Sequence, residues 1–299
     1  MKRYIISIIA VFYLSFTYGQ QLITYSQFMH DHYLLNPAAA GSKDYIPVTL
    51  AYKKMWTGMN GSPSFQTLAG NSKIMDNMGV GAVVRNYTTG YENKFGLDLT
   101  YSYAINVGTD NKLAFGLTAS LYQFYFDKDK ITIENPDDNT INYANEQLIV
   151  PDANFGTYFY GKNYYAGIAV FQLFGRKVNM MNTDYLENRQ ERMYLLHGGY
   201  KFEINDDYTV EPSLLAKFVE AGEYHVELNV KGTFKNIAWA GISYRLNDAV
   251  VPMFGIEMEQ FVFGYAYDIT LSDLKTYSQG SHELIFIYKI GNTTGPASY

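Results

Sequence analysis

The sequence predicts an all-β, single-domain antiparallel transmembrane β-barrel of about 14 strands. Between positions 46 and 290, fourteen segments of about ten residues alternate apolar and polar side chains. The connections between these segments are alternately short and long. An even strand number, with tight turns at one rim and long loops at the other, is typical of outer-membrane barrels.

The positions of the connections predict how the barrel is oriented. The long connections are 54–63, 127–151, 175–191 and 271–280. All are odd-numbered along the chain, so they meet at one rim. Tight connections at 107–111, 161–163, 205–207, 235–236 and 259–260 meet at the other. Since short turns of such barrels face the periplasm, we expect both termini on that side.

Alternation also assigns the two faces of the wall. In the segment 95–105 every odd residue is apolar, from Phe95 to Ile105, and the residues between them are small or polar. In the segment 224–234 the polar face carries Glu227 and Lys231. Either charge would cost roughly 2–4 kcal/mol at the bilayer midplane, so we expect both in the lumen. A water-soluble β-sandwich would also alternate, but its aromatic residues would be buried.

The charged residues assigned to the inner face form a predicted lumen charge network. Because charges of both signs are present and unpaired buried charges are costly, we expect them to pair and to fill the interior. Asp268 and Glu283 join the network from the late strands. Its main members are Lys201, Glu203, Glu211, Lys217, Glu227, Lys231 and Arg245.

The amino-terminal region predicts export. Lys2 and Arg3 precede a twelve-residue apolar stretch, 5–16, which is too short to span a bilayer as a helix. Thr17 and Gly19 suit signal peptidase, with cleavage before Gln20. We therefore expect a signal peptide at 1–19, a periplasmic amino-terminal segment at 20–45 and the outer-membrane barrel at 46–299.

Composition excludes several classes of function. The formal net charge is −6, which disfavours a nucleic-acid partner. There is no Cys, and hence no disulfide framework and no thiolate metal site. With 29 Tyr and 19 Phe, the chain can supply the aromatic girdles of a membrane barrel.

No catalytic or metal-binding motif stands out. There is no Gly-x-Ser-x-Gly elbow, and the acidic connection 127–151 lacks the spacing of an EF-hand. His30 and His32 have no evident third ligand. We expect no enzymatic activity, no cofactor and no metal.

Four motifs carry a resemblance to a known family. Tyr25-Ser26-Gln27-Phe28-Met29 is followed by an Asn-Pro-Ala-x-Ala-Gly turn at 36–41. Trp56 and Gly58 precede Gly61-Ser62-Pro63, and Ser281-His282-Glu283 leads into the last strand. In this order and spacing the chain resembles the PorP/SprF family, outer-membrane proteins of the type IX secretion and gliding-motility apparatus of Bacteroidetes. One departure is Arg85-Asn86-Tyr87, where many members carry an Asn-Asp pair.

The resemblance implies a protein that docks a secreted surface adhesin by its C-terminal sorting domain and connects it to type IX secretion components. We expect the long loops to form the docking surface because Trp, Tyr and Met are enriched at protein interfaces. The candidate contacts are Trp56, Tyr143, Met180, Met181, Tyr185 and Tyr277. Binding from below by the segment 20–45 is the other possibility, and the other functional class is a FadL-like channel for small hydrophobic or nutrient molecules.

Overall fold

The structure, a computed structural model, describes residues 25–127, 147–178, 189–220, 222 and 224–291. Within these residues fifteen strands form one antiparallel sheet, and no helix is long and apolar enough to cross a membrane. The strands are β1 (Ile46–Lys54), β2 (Ser64–Met75), β3 (Met78–Thr89), β4 (Glu92–Val107), β5 (Asn111–Phe126), β6 (Gln147–Tyr160), β7 (Tyr164–Phe171), β8 (Met193–Tyr200), β9 (Phe202–Glu203), β10 (Tyr208–Val219), β11 (Tyr224–Phe234), β12 (Ala238–Arg245), β13 (Ala249–Glu257), β14 (Phe261–Thr270) and β15 (Ser281–Ile290).

The sheet closes on itself. The first and last strands pair in register from Ile46 opposite Ile290 to Lys54 opposite His282. β10 pairs with β11, so the order around the wall has no free end. β8 and β9 are two parts of one wall strand, since both pair with β10. The predicted fourteen-stranded antiparallel barrel is confirmed.

The interruption between β8 and β9 has a local cause. The pairs Gly199 with Ser213 and Phe202 with Val210 place Tyr200 opposite Pro212. Proline has no backbone N–H and so removes one donor from the ladder. The wall continues past this point without a change of register.

The two faces of the wall are as the alternation predicts. On β4 the odd positions are exposed, with Leu99 57% exposed, whereas Asp98 and Ser102 between them are buried. On β11, Leu228 and Val230 are exposed while Glu227 and Asn229 are buried. The apolar face therefore meets lipid, and the polar face lines the lumen.

The connection bounds match the expectation to within about three residues, except at 127–151. β6 already begins at Gln147, so residues 147–151 belong to the wall rather than to a loop. Pro151 lies there opposite Leu121 of β5. The ladder between β6 and β7 ends at Phe155 opposite Val170, so Pro151 has no β7 partner and its missing N–H interrupts no bond on that side.

Residues 25–42 of the amino-terminal segment lie inside the barrel, whereas we expected the segment in the periplasm. We call residues 25–42 the plug. Near the short-turn rim, the Gly41 N–H donates to Asn71 Oδ1 (2.9 Å). Near the long-loop rim, the ring of Tyr25 stacks on Phe65 with centroids 5.1 Å apart. Three 3-10 turns, Phe28–His30, His32–Leu34 and Pro37–Ala39, carry the plug between these two levels.

Glycines on the inner face make room for the plug. A Cβ at Gly116 would collide with the backbone of Pro37 and Ala38, and one at Gly156 would collide with the side chain of Asn36. Backbone atoms cannot move aside as the end of a flexible side chain can, so Gly116 has the stricter requirement. Similar close approaches to the plug occur at Gly79, Gly81, Gly167 and Gly264.

Orientation can be tested by labelling, because the native chain has no cysteine. A membrane-impermeant maleimide should label Asn60→Cys and Lys275→Cys on intact cells, since both positions are exposed in long loops. Asp110→Cys and Asp206→Cys, exposed in short turns, should react only after the outer membrane is permeabilised. The reverse pattern would show that the barrel is inserted the other way up.

The glycine groove can be tested by adding a methyl group. Gly116→Ala should displace the plug, because overpacking of a filled interior costs about 1–3 kcal/mol. We expect ion conductance in planar bilayers for this variant and none for the native protein. Gly232→Ala is the matched control, since a Cβ there meets only Ala240 O at 3.9 Å. Equal conductance of both variants would contradict a groove shaped for the plug.

Candidate functional site

The half of the lumen nearer the long loops holds a buried network of charged side chains. Arg245 Nη1 lies 2.8 Å from Asp268 Oδ2, and Arg245 Nε lies 3.1 Å from Glu227 Oε2. Lys53 Nζ lies 3.2 Å from Asp268 Oδ2 and 3.1 Å from Glu283 Oε2. Because a buried charge is costly unless it is paired, each of these contacts restricts where the others can lie.

This network holds the outer end of the plug. Glu283 accepts hydrogen bonds from the backbone N–H of Ser26 (2.8 Å) and of Gln27 (2.9 Å), one on each carboxylate oxygen. Ser26 Oγ accepts from Lys53 Nζ (3.0 Å) and from Arg245 Nη2 (2.7 Å). We call this set of contacts the latch. Two consecutive backbone donors are thus satisfied by one carboxylate, which also pairs with Lys53.

Further contacts fix the middle of the plug. Thr49 Oγ1 donates to Asp31 Oδ2 (2.6 Å), and Tyr33 OH donates to Thr100 Oγ1 (2.9 Å). Asn36 Nδ2 donates to the carbonyl oxygen of Thr157 (2.8 Å). The plug therefore bonds to strands on several sides of the barrel, which holds it as a fixed part of the lumen.

The structure brings most of the predicted lumen charges together. Lys231 Nζ lies 2.9 Å from Glu211 Oε2 in the half of the lumen nearer the short turns. Lys201 is half-buried and Glu203 is exposed, and among the described residues neither makes an ion pair. Glu203 is the last residue before a short turn, where water reaches it. The buried members are Glu211, Lys217, Glu227, Lys231 and Arg245.

Lys53 belongs to this network although the sequence prediction does not include it. It is 1% exposed. Its position follows from the alternation of β1, which places Lys53 on the same face as Thr49 and Ala51, both buried. Lys54 stands next to it at the rim, and its Nζ donates to Ser62 O (2.7 Å). Because Lys53 and Lys54 are adjacent and both charged, the sequence alone does not indicate which of them faces the lumen.

Two long loops are joined into one surface at the long-loop rim. The Thr57 N–H donates to Gly280 O (2.8 Å), and the Gln279 N–H donates to Thr57 O (2.7 Å). The Trp56 N–H donates to Ser281 Oγ (3.1 Å). We call loops 55–63 and 271–280 together the loop platform. These reciprocal bonds fasten its two halves to each other and to the start of β15.

The candidate contact residues differ in what the structure shows of them. Tyr277 is 73% exposed on the loop platform. Trp56 is half-buried at a φ of 46°, a left-handed conformation that is uncommon for a bulky residue and is held by the surrounding bonds. The others, Tyr143, Met180, Met181 and Tyr185, lie outside the described residues.

The histidines of the amino-terminal segment are packed among aromatic rings. The His30 ring lies 4.4 Å from that of Trp239, and the His32 ring lies 3.9 Å from that of Tyr165, between centroids. His32 Nδ1 and Tyr158 OH are 2.7 Å apart. Within the described residues, no group of three or more His, Asp or Glu side chains is arranged to hold a metal ion.

The latch can be tested with a reporter in the plug. Met29→Cys is buried, so a maleimide should label it slowly. Adding Glu283→Ala removes two hydrogen bonds to a charged group, each worth about 1.5–3 kcal/mol. We expect labelling to become more than about tenfold faster. Glu220→Ala is the control, because Glu220 pairs with Arg192 (3.1 Å) at the rim. An unchanged rate would show that the latch does not hold the plug.

Comparison with solved structures supports the fold. The chain is 10% identical to the Ralstonia pickettii toluene transporter TbuX, with a TM-score of 0.52, covering 89% of this chain and 93% of that one. A deltaS2 mutant of the monoaromatic hydrocarbon channel TodX is 8% identical, with a TM-score of 0.51, covering 86% and 93%. At such identities the likeness concerns the barrel alone.

Comparison of sequences gives the family. No curated protein matches the chain. The model of the family described as type IX secretion system membrane protein PorP/SprF matches residues 17–288, which include the plug and every strand of the barrel except the end of the last. The chain therefore belongs to the PorP/SprF family of type IX secretion system membrane proteins.

Proposed function

We propose that this outer-membrane barrel docks a secreted surface adhesin by its C-terminal sorting domain, after export by a cleaved signal peptide, and connects it to type IX secretion or gliding components. Family membership supports a role in type IX secretion. The observation that favours docking is the loop platform. Its halves are joined by two backbone hydrogen bonds of 2.8 and 2.7 Å between Thr57 and residues 279–280, and by one of 3.0 Å from the Thr57 hydroxyl to Gly280 O. A rigid surface loses little conformational entropy when it binds a folded partner.

The filled lumen also favours docking over conduction. A barrel of this strand number is wide enough to leave an aqueous lumen. Here the plug occupies it, with Ser26, Gln27 and Asn36 fully buried. A FadL-like channel for small hydrophobic or nutrient molecules would require the plug to leave, at the cost of the latch and the contacts along Asp31, Tyr33 and Asn36.

Docking from the periplasmic side is less well supported than docking at the outer rim. That alternative assigns the contact to the segment 20–45. Residues 25–42 are almost wholly enclosed by the barrel, and Phe28 is 1% exposed. A partner below the membrane therefore has little of this segment to bind while the plug is in place.

The proposal is tested by removing an exposed ring from the loop platform. Tyr277→Ala, alone and with Trp56→Ala, should lower the amount of adhesin on the cell surface by at least severalfold, as expected for an interface aromatic worth about 2 kcal/mol or more. Surface adhesin is measured with an antibody on intact cells. Tyr101→Ala is the matched control, because Tyr101 is 47% exposed on the lipid-facing side of β4.

A deletion of residues 176–190 tests the second long loop at the same rim. In every variant, different gel mobility of boiled and unboiled samples must first show a folded barrel. Normal surface adhesin in both the platform double variant and this deletion would refute the outer rim as the docking site. If surface adhesin were normal in the deletion but reduced in the platform double variant, docking would be restricted to the loop platform.

A further inference from the structure

One part of the inner wall lies above the plug. On strands β3 to β6 the plug covers the lower inner face, where Gly79, Gly81, Gly116 and Gly156 approach it. Nearer the long-loop rim, no described hydrogen bond, ion pair or ring contact joins the plug to the inner face of β4, β5 or β6 above Thr100. We call the six residues placed there the Lys94 patch: Arg85, Lys94, Asp98, Tyr122, Phe124 and Asp152.

Strand register places these side chains in adjacent rows. Arg85 pairs with Gly96 and Gly96 with Tyr122, while Lys94 pairs with Phe124 in the row above. Asp98 and Asp152 both pair with Ser120 in the row below. Gly96 leaves space for the Tyr122 ring, since a Cβ there would lie 2.9 Å from the ring. The Tyr122 ring thus lies in the row between Lys94 and Phe124 above and the two carboxylates below.

Lys94 contacts two aromatic rings, and Glu92 and Asp152 attract its charge over a longer distance. Its Nζ lies 4.3 Å from the centroid of the Tyr122 ring and 5.0 Å from that of Phe124, and among the described residues its ammonium group makes no hydrogen bond or ion pair. Contact with ring faces stabilises a cation but leaves its three N–H donors unused. The position is half-buried, so water satisfies them only in part.

The two carboxylates below have unused acceptors. Asp98 pairs with Arg85 through Oδ2, whereas its Oδ1 is buried without a partner. Asp152 accepts from the N–H groups of Ala153 (2.7 Å) and Phe174 (3.0 Å) through Oδ1, whereas its Oδ2 is buried without a partner. Asp98 is 2% exposed and Asp152 is 3% exposed. Buried acceptors without donors are rare in folded proteins, so each of these two oxygens has the capacity to accept a further hydrogen bond.

The latch shows how this lumen binds an extended chain. There, the Glu283 carboxylate accepts hydrogen bonds from two consecutive backbone N–H groups, and two cations donate to the hydroxyl oxygen of Ser26. The Lys94 patch offers the same chemistry, with two cations, two carboxylates and aromatic walls. Because its formal charges balance, it suits a ligand that brings both a carboxylate and N–H donors, and it suits a simple anion poorly.

We propose that the Lys94 patch binds a carboxylate-bearing, extended peptide segment of the docked partner, with the carboxylate on Lys94 and backbone N–H groups on Asp98 and Asp152. This rests on the proposed docking function and assigns it a second contact, inside the barrel mouth. The carboxylate comes either from an acidic side chain or from the carboxyl terminus of the segment, and the test below distinguishes the two.

The test uses the full-length folded protein in detergent and three fluorescein-labelled pentapeptides. One has a free carboxyl terminus and no acidic residue, one has an amidated terminus and a Glu, and one is amidated with Gln in place of Glu. We expect one or both acidic peptides to bind by fluorescence anisotropy, and the neutral peptide not to bind. Which acidic peptide binds identifies the source of the carboxylate.

Variants connect the binding to the Lys94 patch. Lys94→Gln should weaken binding of the acidic peptide at least about tenfold, since a hydrogen bond between charged groups is worth about 1.5–3 kcal/mol. Lys94→Arg should retain much of the native affinity for this peptide, and Asp152→Asn should lower that affinity. Lys73→Gln is the matched control, because Lys73 pairs with Asp44 (2.6 Å) near the short-turn rim. Platform variants at Tyr277 should leave peptide binding unchanged, which separates this proposal from the docking surface itself.

Four results would overturn the proposal. One is no difference between acidic and neutral peptides up to about 1 mM, the weak end of specific binding. Another is equal binding by the native protein and Lys94→Gln. The third is binding that appears only after the acidic residues of 127–151 are neutralised, because the chain's own loop would then be the occupant. Competition by acetate as effective as that by the acidic peptide would likewise reduce the patch to a simple anion site.

Discussion

The carboxylate of Glu283 lies where the wall, the plug and the loop platform meet. It accepts the backbone N–H groups of Ser26 and Gln27 and pairs with Lys53, which pairs in turn with Asp268. Two residues earlier, Ser281 accepts the Trp56 N–H. One strand end therefore fixes both the inside of the lumen and the surface above it. Since buried charges are stable only with their partners in place, this arrangement has few alternatives.

The lumen explains why a barrel of this width is not an open pore. Wall side chains alone fill small barrels, whereas wide barrels leave an aqueous channel. Here an eighteen-residue plug, residues 25–42, rests in a groove of glycines and forms hydrogen bonds to the inner face through Ser26, Asp31 and Asn36. Small residues below the plug and long charged residues around it have the same effect, which is to exclude water from the centre of the barrel.

The position of the plug determines what the long-loop rim can present to a partner. Because the plug occupies the lumen, the partner proposed here would meet a rim in which the loop platform is bonded to the wall. At the same time, the inner face of β3 to β6 above the plug keeps a charged and aromatic region that the described chain leaves partly unsatisfied. Under the two proposals, surface loops and this region would give an extended partner two kinds of contact, one with exposed rings and one with buried charges.

The sequence by itself determined the wall. Side chains of a strand alternate between faces, so the lipid-facing residues of β4 and β11 are readable without any tertiary information. Turn residues and loop lengths are also local, which is why fourteen strands and two unlike rims follow from them. The inward positions of Glu211, Glu227, Lys231 and Arg245 follow from the same period.

Only the tertiary structure decided what fills the barrel. The sequence of a polar segment such as residues 25–42 is equally compatible with exposure to water and with burial in a polar lumen. Its burial therefore depends on partners such as Glu283, Thr49 and Asn71 that are distant in the chain. The start of β6 before Pro151 likewise depended on where the neighbouring strand ends. Local pattern specifies which face a residue takes, whereas the occupant of that face is set by contacts between distant parts of the chain.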